Sequence, residues 1–138
     1  MIASFTIPGV PVAKGRPRLT ARNGQARAYT PAKTRKFEGE VADYARASIG
    51  PVDPYSGPVE LEAHFCIPIP KSWCKRDRLA AFEGHILPQG KPDLDNYFKA
   101  VADGMNGIVY VDDSQIVGCR MTKRYGDDPG IIVTVRPA

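Results

Sequence analysis

Residues 59–67, VELEAHFCI, carry the most regular pattern in the chain and are the first guide to its fold. Apolar residues alternate with polar ones and share one side: Val59, Leu61, Ala63, Phe65 and Ile67. An alternation with a period of two is typical of a β-strand with one buried and one wetter face. The pattern therefore predicts a strand whose apolar side packs against other elements.

Patterns on both sides of this strand predict the remaining elements. Helical spacing of apolar residues predicts helices at about 31–49, 72–83 and 95–106. Alternation predicts a first strand at residues 2–7, and a closing hairpin around YGDDPG at residues 125–130. The predicted order is β-α-β-α-α-β-β, an α+β fold with helices packed on a mixed or mostly antiparallel sheet.

Local signals refine these helices. Thr30 is expected to be the N-cap of the first helix and Asp95 that of the third, because short oxygen-bearing side chains can accept the free N–H groups there. In the second helix, Leu79 and Phe82 are expected to face inward. The segment between the first strand and the first helix, at about 8–30, is rich in Pro and Gly and is predicted to be a basic loop.

Length and composition indicate an ordinary globular protein. The 138 residues suit one domain, residues 1–138, and 43% are hydrophobic and 25% charged. No run of about 18 apolar residues occurs, so we expect a cytoplasmic protein without a membrane partner. Three cysteines without C-x-x-C spacing argue against a disulfide framework or a zinc site.

Positive charge is concentrated near the N-terminus. Between Val10 and Lys36 there are eight basic residues and no acidic one. The eight are Lys14, Arg16, Arg18, Arg22, Arg27, Lys33, Arg35 and Lys36. Such a segment favours an anionic partner, and phosphate neutralisation dominates nucleic-acid affinity.

The stretch KPDLDNYFKAVADGMNGIVYVDDSQI, residues 91–116, places Asp93, Asp95, Asp112 and Asp113, together with Asp103, among apolar residues. Asp93 and Asp95 fall near the start of the third helix, where the helix dipole favours negative charge. A short extended return from the end of that helix would bring Asp112 or Asp113 to the same end. These residues are either caps and turns or a carboxylate site.

Carboxylates that converge need a positive partner, because two of them about 4 Å apart repel by about 4 kcal/mol at an effective dielectric of 20. Oxygen-rich sites suit Mg²⁺ or Mn²⁺, with substrate phosphate completing the shell. Lys99, four residues after Asp95, could neutralise charge at phosphorus, protonate the leaving oxygen or orient Asp95. Asp103 is expected to form an i,i+4 pair with Lys99.

These motifs together resemble the RusA-type Holliday junction resolvases, especially their phage and prophage members. The resemblance covers FTIPGVPVAKGRPR, YTPAKTRKFE, PVELEAHFCIPIPKSW, KPDLDNYFKAVADGMNG, VYVDDSQIV and KRYGDDPGIIVTV, nearly the whole chain. The combination D-x-D-N-x-x-K with a later D-D-x-Q is far more specific than any of its parts.

The resemblance implies a Mg²⁺- or Mn²⁺-dependent endonuclease that binds four-way DNA junctions as a homodimer and nicks two opposing strands during recombination and repair. It implies no small-molecule cofactor. Matched residue by residue, Asp93, Asp95 and Asp113 are the implied metal ligands and Lys99 the catalytic lysine. Asp112 is then a supporting residue.

The basic segment supplies the expected DNA contacts. Lys14, Arg16 and Arg18 are the first candidates for phosphate binding, and Arg27, Lys33 and Arg35 are secondary ones. Three other functions stay open from the residues alone. They are a less selective nuclease for branched or flap DNA, a non-catalytic DNA-binding module, and a small-molecule phosphohydrolase.

Overall fold

Three α-helices and six β-strands form the described fold, together with one 3₁₀ turn. This computed structural model describes residues 1–15, 18–22 and 24–138; the side chains of Arg18, Thr20, Arg22 and Arg27 lie outside the described part. The strands are β1 (Ala3–Pro8), β2 (Arg18–Arg22), β3 (Gln25–Tyr29), β4 (Val59–Pro68), β5 (Ile116–Gly126) and β6 (Gly130–Pro137). The helices are α1 (Ala32–Ile49), α2 (Lys75–Phe82) and α3 (Leu94–Gly104), and the 3₁₀ turn is Asp113–Gln115.

The main sheet is mixed, with strand order β1-β6-β4-β5. The strand β4 pairs parallel to β5 and antiparallel to β6, and β6 pairs antiparallel to β1. Phe5, Val133 and Ala63 therefore lie in register across three strands, and all three side chains are buried. The predicted α+β class and mixed sheet are confirmed.

The predicted closing hairpin is wrong. The strands β5 and β6 are antiparallel to each other, but β4 lies between them and pairs with both. Residues 127–129 only need to span two strand spacings, about 10 Å, which an extended tripeptide can cover. Alternation predicts which face of a strand is buried but not which strand lies beside it, so two adjacent alternating segments suggested a hairpin.

The basic segment contains an element that the sequence patterns did not predict. Residues expected to be a loop form a two-stranded antiparallel ribbon of β2 and β3, with Arg18 opposite Tyr29 and Arg22 opposite Gln25. Each strand has only five residues, and the ribbon side chains that the structure describes are exposed: Leu19, Ala21, Gln25, Ala26, Ala28 and Tyr29. The sequence of the ribbon, RLTAR and QARAY, has no strong alternation of apolar residues that would predict a strand.

The helices α1 and α3 pack against each other, α1 also against β1 and α3 against β5. The apolar residues whose helical spacing predicted α3 form a stripe on its core side: Tyr97 and Val101 are buried, and Leu94 and Phe98 pack against the core. Phe65 of the sheet stacks on Tyr97 with ring centroids 5.4 Å apart. This packing fixes the position of α3 and therefore of its polar residues.

Two helix details differ from expectation. The helix α1 begins at Ala32 with Pro31 as its N-cap, one residue after the predicted position. In α2, Leu79 and Phe82 are each 56% exposed, and Ala81 is the buried residue. The helix has only eight residues and begins after Cys74, later than expected, so its inward face differs from the predicted one.

Replacing Gly104 with alanine is expected to destabilise the protein by about 1 to 3 kcal/mol, because a β-carbon there would lie 2.7 Å from Val41 Cβ on the packed face of α1. Gly39 on the exposed side of α1 has no neighbour within 4 Å of the same added carbon. Gly39→Ala should therefore stabilise the helix by about 0.5 to 1 kcal/mol. Urea unfolding of both variants checks the contrast, and equal shifts would contradict it.

Candidate active site

The N-terminus of α3 holds the first two candidate ligands. The N-cap is Asp93, not Asp95 as predicted, and Asp95 lies in the first turn. The backbone carbonyl of Asp93 accepts hydrogen bonds from the N–H groups of Asn96 and Tyr97, at 3.1 and 3.3 Å. Within the described first turn, the Asp93 carboxylate accepts no capping hydrogen bond. Both carboxylates are therefore at a helix start, and that of Asp93 is not used to cap it.

The chain turns sharply after α3 instead of returning as an extended segment. Gly107 has a φ of 76°, a conformation that favours glycine, and its N–H donates to the carbonyl of Tyr110 at 2.8 Å. The buried Tyr110 hydroxyl donates to the carbonyl of Ala102 at 2.6 Å, and burial raises its pKa. This anchor holds the following segment against α3 and places Asp113 beside Lys99. Asp113 was expected at the helix start with Asp93 and Asp95, and Lys99 lies one turn further along the helix.

The motif D-D-x-Q separates the roles of its two aspartates. The Asp112 carboxylate accepts the N–H of Ser114 at 3.2 Å, and the Gln115 Oε1 accepts the N–H of Asp112 at 2.9 Å. These two bonds form a capping box around the 3₁₀ turn, and the bonds to Ser114 lower the pKa of Asp112. Asp112 therefore stabilises the 3₁₀ turn as its N-cap, whereas the Asp113 carboxylate accepts a hydrogen bond from Lys99.

Gln115 was given no role from the sequence, although the spacing of Asp112 and Gln115 is that of a capping box. Its Nε2 donates to the carbonyls of Tyr55 and Gly57, at 2.7 and 2.8 Å. One side chain thereby ties the turn that carries Asp113 to a distant loop. The turn depends on this amide for its position.

Gln115→Ala is expected to lower the free energy of unfolding by about 1 to 2 kcal/mol, because three hydrogen bonds are lost at a half-buried position. It should also slow any reaction that needs Asp113 in place. The exposed Gln89 provides a matched control, and Gln89→Ala should stay within about 0.5 kcal/mol of the wild type. Thermal unfolding of the pair checks this, and no difference between them would contradict it.

Lys99 connects the helix to the D-D-x-Q turn. Its ammonium donates to Asp113 Oδ2 at 2.9 Å and lies 3.0 Å from Asp103 Oδ1. The hydrogen bonds to Asp113 and then to Asp103 raise the pKa of Lys99, so it stays cationic. The predicted i,i+4 pair with Asp103 is confirmed. Among the described side chains, Lys99 forms ion pairs with Asp113 and Asp103. Asp95, which Lys99 was expected to orient as one alternative, is not among these partners.

The candidate metal ligands are not gathered into one cluster. Within residues 1–15, 18–22 and 24–138, no group of three or more His, Cys, Asp or Glu side chains is placed to hold a metal ion. Asp93 and Asp95 are on the first turn of α3, and Lys99 is one turn further along, with Asp113 beside it. The donors are all carboxylate oxygens, which suit a hard cation such as Mg²⁺. The chemistry of the donor set fits that ion, and side-chain rotation would be needed to gather the set.

The structure places the predicted DNA contacts in different surroundings. The Lys14 ammonium is engaged by Glu38 and by Asp103, the latter at 3.1 Å. Lys33 and Arg35 are exposed in the first turn of α1. Arg16 lies outside the described residues, and so do the side chains of Arg18 and Arg27. Glu38 was missed, because nothing in the local sequence links it to Lys14, 24 positions away.

A family model and a curated relative each match nearly the whole chain. A family model described as endodeoxyribonuclease RusA matches residues 8–136, nearly the whole chain. A curated relative from Bacillus subtilis (strain 168), described as uncharacterized protein YqaN, is 40% identical over 134 residues. The match covers 96% of this chain and 94% of that protein. Of the helices described, none combines the length and the apolar character needed to cross a membrane.

Proposed function

The chain belongs to the endodeoxyribonuclease RusA family, and from that premise we propose that it is a metal-dependent endonuclease that resolves four-way DNA junctions. The observation that carries the proposal is the 2.9 Å contact between Lys99 and Asp113. It joins the D-x-D-N-x-x-K helix to the D-D-x-Q turn, so the two halves of the motif belong to one site. A DNA substrate also agrees with the cytoplasmic location expected from the sequence.

The charge balance of the site supports a role for a divalent cation. Lys14 and Lys99 face three carboxylates, those of Glu38, Asp103 and Asp113. Asp93 and Asp95 add two further carboxylates at the start of the helix that carries Lys99 and Asp103. A phosphodiester would be repelled by this excess of negative charge. A bound cation removes that conflict.

We assign the cation to Asp93, Asp95 and Asp113, with Mg²⁺ preferred and Mn²⁺ an alternative. When bound there, such an ion supplies an activated water near neutral pH and neutralises charge on the reacting phosphate. The chain itself fixes Asp93 and Asp95 on a rigid helix start and Asp113 on a turn held by Gln115. Lys99 provides a positive charge beside them, which would stabilise negative charge as it develops on the phosphate.

The exposed cations at the start of α1 fit a phosphate-binding surface. Lys33 and Arg35 lie in the first turn of that helix, which contains no acidic residue. Positive charge is unfavourable at this end of a helix dipole, so its presence argues for a function other than helix stability. The free N–H groups of the same turn favour an anion as well.

Removing these two charges is expected to weaken DNA binding through phosphate contacts. In Lys33→Gln/Arg35→Gln, the slope of log K against log salt should become less steep by about 1 to 2, because about 0.9 of a counterion is released per phosphate. Arg46→Gln, at the exposed other end of α1, provides the control and should leave the slope unchanged. Binding titrations on a four-way junction at several salt concentrations check this, and an unchanged slope in the double variant would contradict it.

We further propose that the protein acts as a homodimer and makes paired symmetric nicks. A four-way junction has approximate two-fold symmetry, and a two-fold dimer would present one site to each of two opposing strands. Sedimentation of the protein alone and with a junction tests the stoichiometry. Two chains per junction are expected, and a single bound chain that makes both nicks would contradict the dimer.

The selectivity is tested by cutting rates on a four-way junction and on a linear duplex of the same sequence, with Mg²⁺. We expect faster cleavage of the junction, with paired nicks in opposing strands. Equal rates on the two substrates would favour a less selective nuclease. Binding of the junction without cleavage would favour a DNA-binding module, and cleavage of small phosphodiesters alone would favour a phosphohydrolase.

A further inference from the structure

Five side chains of alternating charge form a continuous row from α1 to the D-D-x-Q turn. We call this the ion-pair row, and in spatial order it consists of Glu38, Lys14, Asp103, Lys99 and Asp113. Its members come from α1, the segment before the ribbon, α3 and the 3₁₀ turn. The row therefore links the candidate catalytic pair, Lys99 and Asp113, to residues outside the D-x-D-N-x-x-K and D-D-x-Q motifs.

Asp103 is the branch point of the ion-pair row. Its Oδ1 lies 3.0 Å from the Lys99 ammonium and its Oδ2 lies 3.1 Å from the Lys14 ammonium. The Asp103 side chain is only 18% exposed, so water competes little for these oxygens. A lysine ammonium on a flexible four-carbon stem needs more than one partner to occupy a single position. Asp103 supplies the second partner of Lys99, in addition to Asp113.

Lys14 is held in place by its own backbone. Its N–H donates to the carbonyl of Asn96 at 2.9 Å, and the next N–H, that of Gly15, donates to Thr34 Oγ1 at 3.0 Å. The Lys14 side chain is 20% exposed and directed to Glu38 and Asp103. Burial lowers the pKa of Lys14, but its hydrogen bonds to Glu38 and Asp103 outweigh that effect and raise it overall. This cation is thus used inside the protein, unlike the exposed cations of α1.

We propose that Asp103 and Lys14 are positioning residues that hold the Lys99 ammonium beside Asp113, with Lys14 acting through Asp103. The proposal rests on the proposed function for the role of Lys99 in cleavage. Neither residue needs to touch DNA. Glu38 completes the arrangement by fixing Lys14 from the other side.

The test compares Asp103→Asn, Lys14→Met and the double variant in single-turnover cleavage of a four-way junction. Asp103→Asn is expected to slow cleavage about 10- to 100-fold through misplacement of Lys99, and Lys14→Met less. The double variant should be no slower than Asp103→Asn, because the two residues act on one path. Junction affinity, measured without divalent metal, should change by less than about threefold, since the phosphate contacts remain. Asp43→Asn, a charge change on the exposed face of α1, should cleave like the wild type.

A second readout does not depend on cleavage. Acylation of lysines by N-hydroxysuccinimidyl acetate, followed by peptide mass spectrometry, should show Lys99 reacting several-fold faster in Asp103→Asn than in the wild type. The exposed Lys36 serves as the internal reference. A wild type that cleaves no junction would overturn the proposed function, while faster acylation of Lys99 would still show that Asp103 engages the Lys99 ammonium.

Two results would overturn the positioning role itself. One is unchanged acylation of Lys99 in Asp103→Asn, which would mean that Asp103 does not hold the ammonium. The other is a variant Asp103→Asn that cleaves the junction as fast as the wild type, provided that the wild type is active. Strictly additive losses in the double variant would overturn the claim that Lys14 acts through Asp103.

Discussion

Asp113→Asn is expected to reduce the rate of junction cleavage by about 10³-fold while junction binding is kept or strengthened. The amide has the same size as the carboxylate, so the 3₁₀ turn and its capping box should persist. The change removes a negative charge that contacts Lys99 and that we assign to cation binding. Removing negative charge near phosphate does not weaken binding of DNA. Single-turnover cleavage and a separate binding titration check the two halves of this expectation.

The neighbouring aspartate provides the control for this variant. Asp112→Asn makes the same chemical change one residue earlier, but asparagine is as good an N-cap as aspartate. The Asp112 carboxylate contacts Ser114 and not Lys99. Cleavage by Asp112→Asn should therefore stay within about threefold of the wild type. A larger loss from Asp112→Asn than from Asp113→Asn would reverse the assignment of the two residues.

Lys99→Met is expected to slow cleavage by about 10²- to 10³-fold, because a positive charge next to the reacting phosphate is lost. Methionine keeps most of the volume of the stem. The loss should be in the rate at saturating DNA, with little change in junction affinity. The same single-turnover assay measures both quantities.

Lys99→Arg separates two possible roles of the lysine. Arginine keeps the charge but does not give up a proton in proteins. Since carboxylate partners raise the pKa of Lys99, we expect charge stabilisation to be its main role, and Lys99→Arg to be faster than Lys99→Met. Equal rates for the two variants would instead favour proton donation to the leaving oxygen.

The sequence predicted those parts of the fold that have a strong apolar period. The strand β4 and the stripe of α3 were predicted because one face of each is buried in the core, with Leu61 and Val101 as examples. The ribbon of β2 and β3 was missed, because its described side chains are exposed and its sequence has no strong apolar alternation. The closing hairpin of β5 and β6 was also predicted incorrectly, because a strand's own pattern does not specify which strand pairs with it.

For the candidate site, local spacing was informative and long-range pairing was not. The pair of Lys99 and Asp103 follows from helix geometry, and it is present. The pairing of Lys14 with Glu38 joins residues 24 positions apart and leaves no local signal. Lys14 was interpreted as a phosphate contact because a cation in a basic segment looks the same in sequence whether it faces DNA or a carboxylate. The ligand roles of Asp93, Asp95 and Asp113 stay a prediction.

The most direct measurement is the rate of four-way junction cleavage by the wild type and by Asp113→Asn, each with Mg²⁺ and with EDTA. We predict paired nicks by the wild type with Mg²⁺, and loss of cleavage in the other three conditions while junction binding persists. Cleavage by the wild type in EDTA, or wild-type rates for Asp113→Asn with Mg²⁺, would contradict a metal-dependent site that includes Asp113.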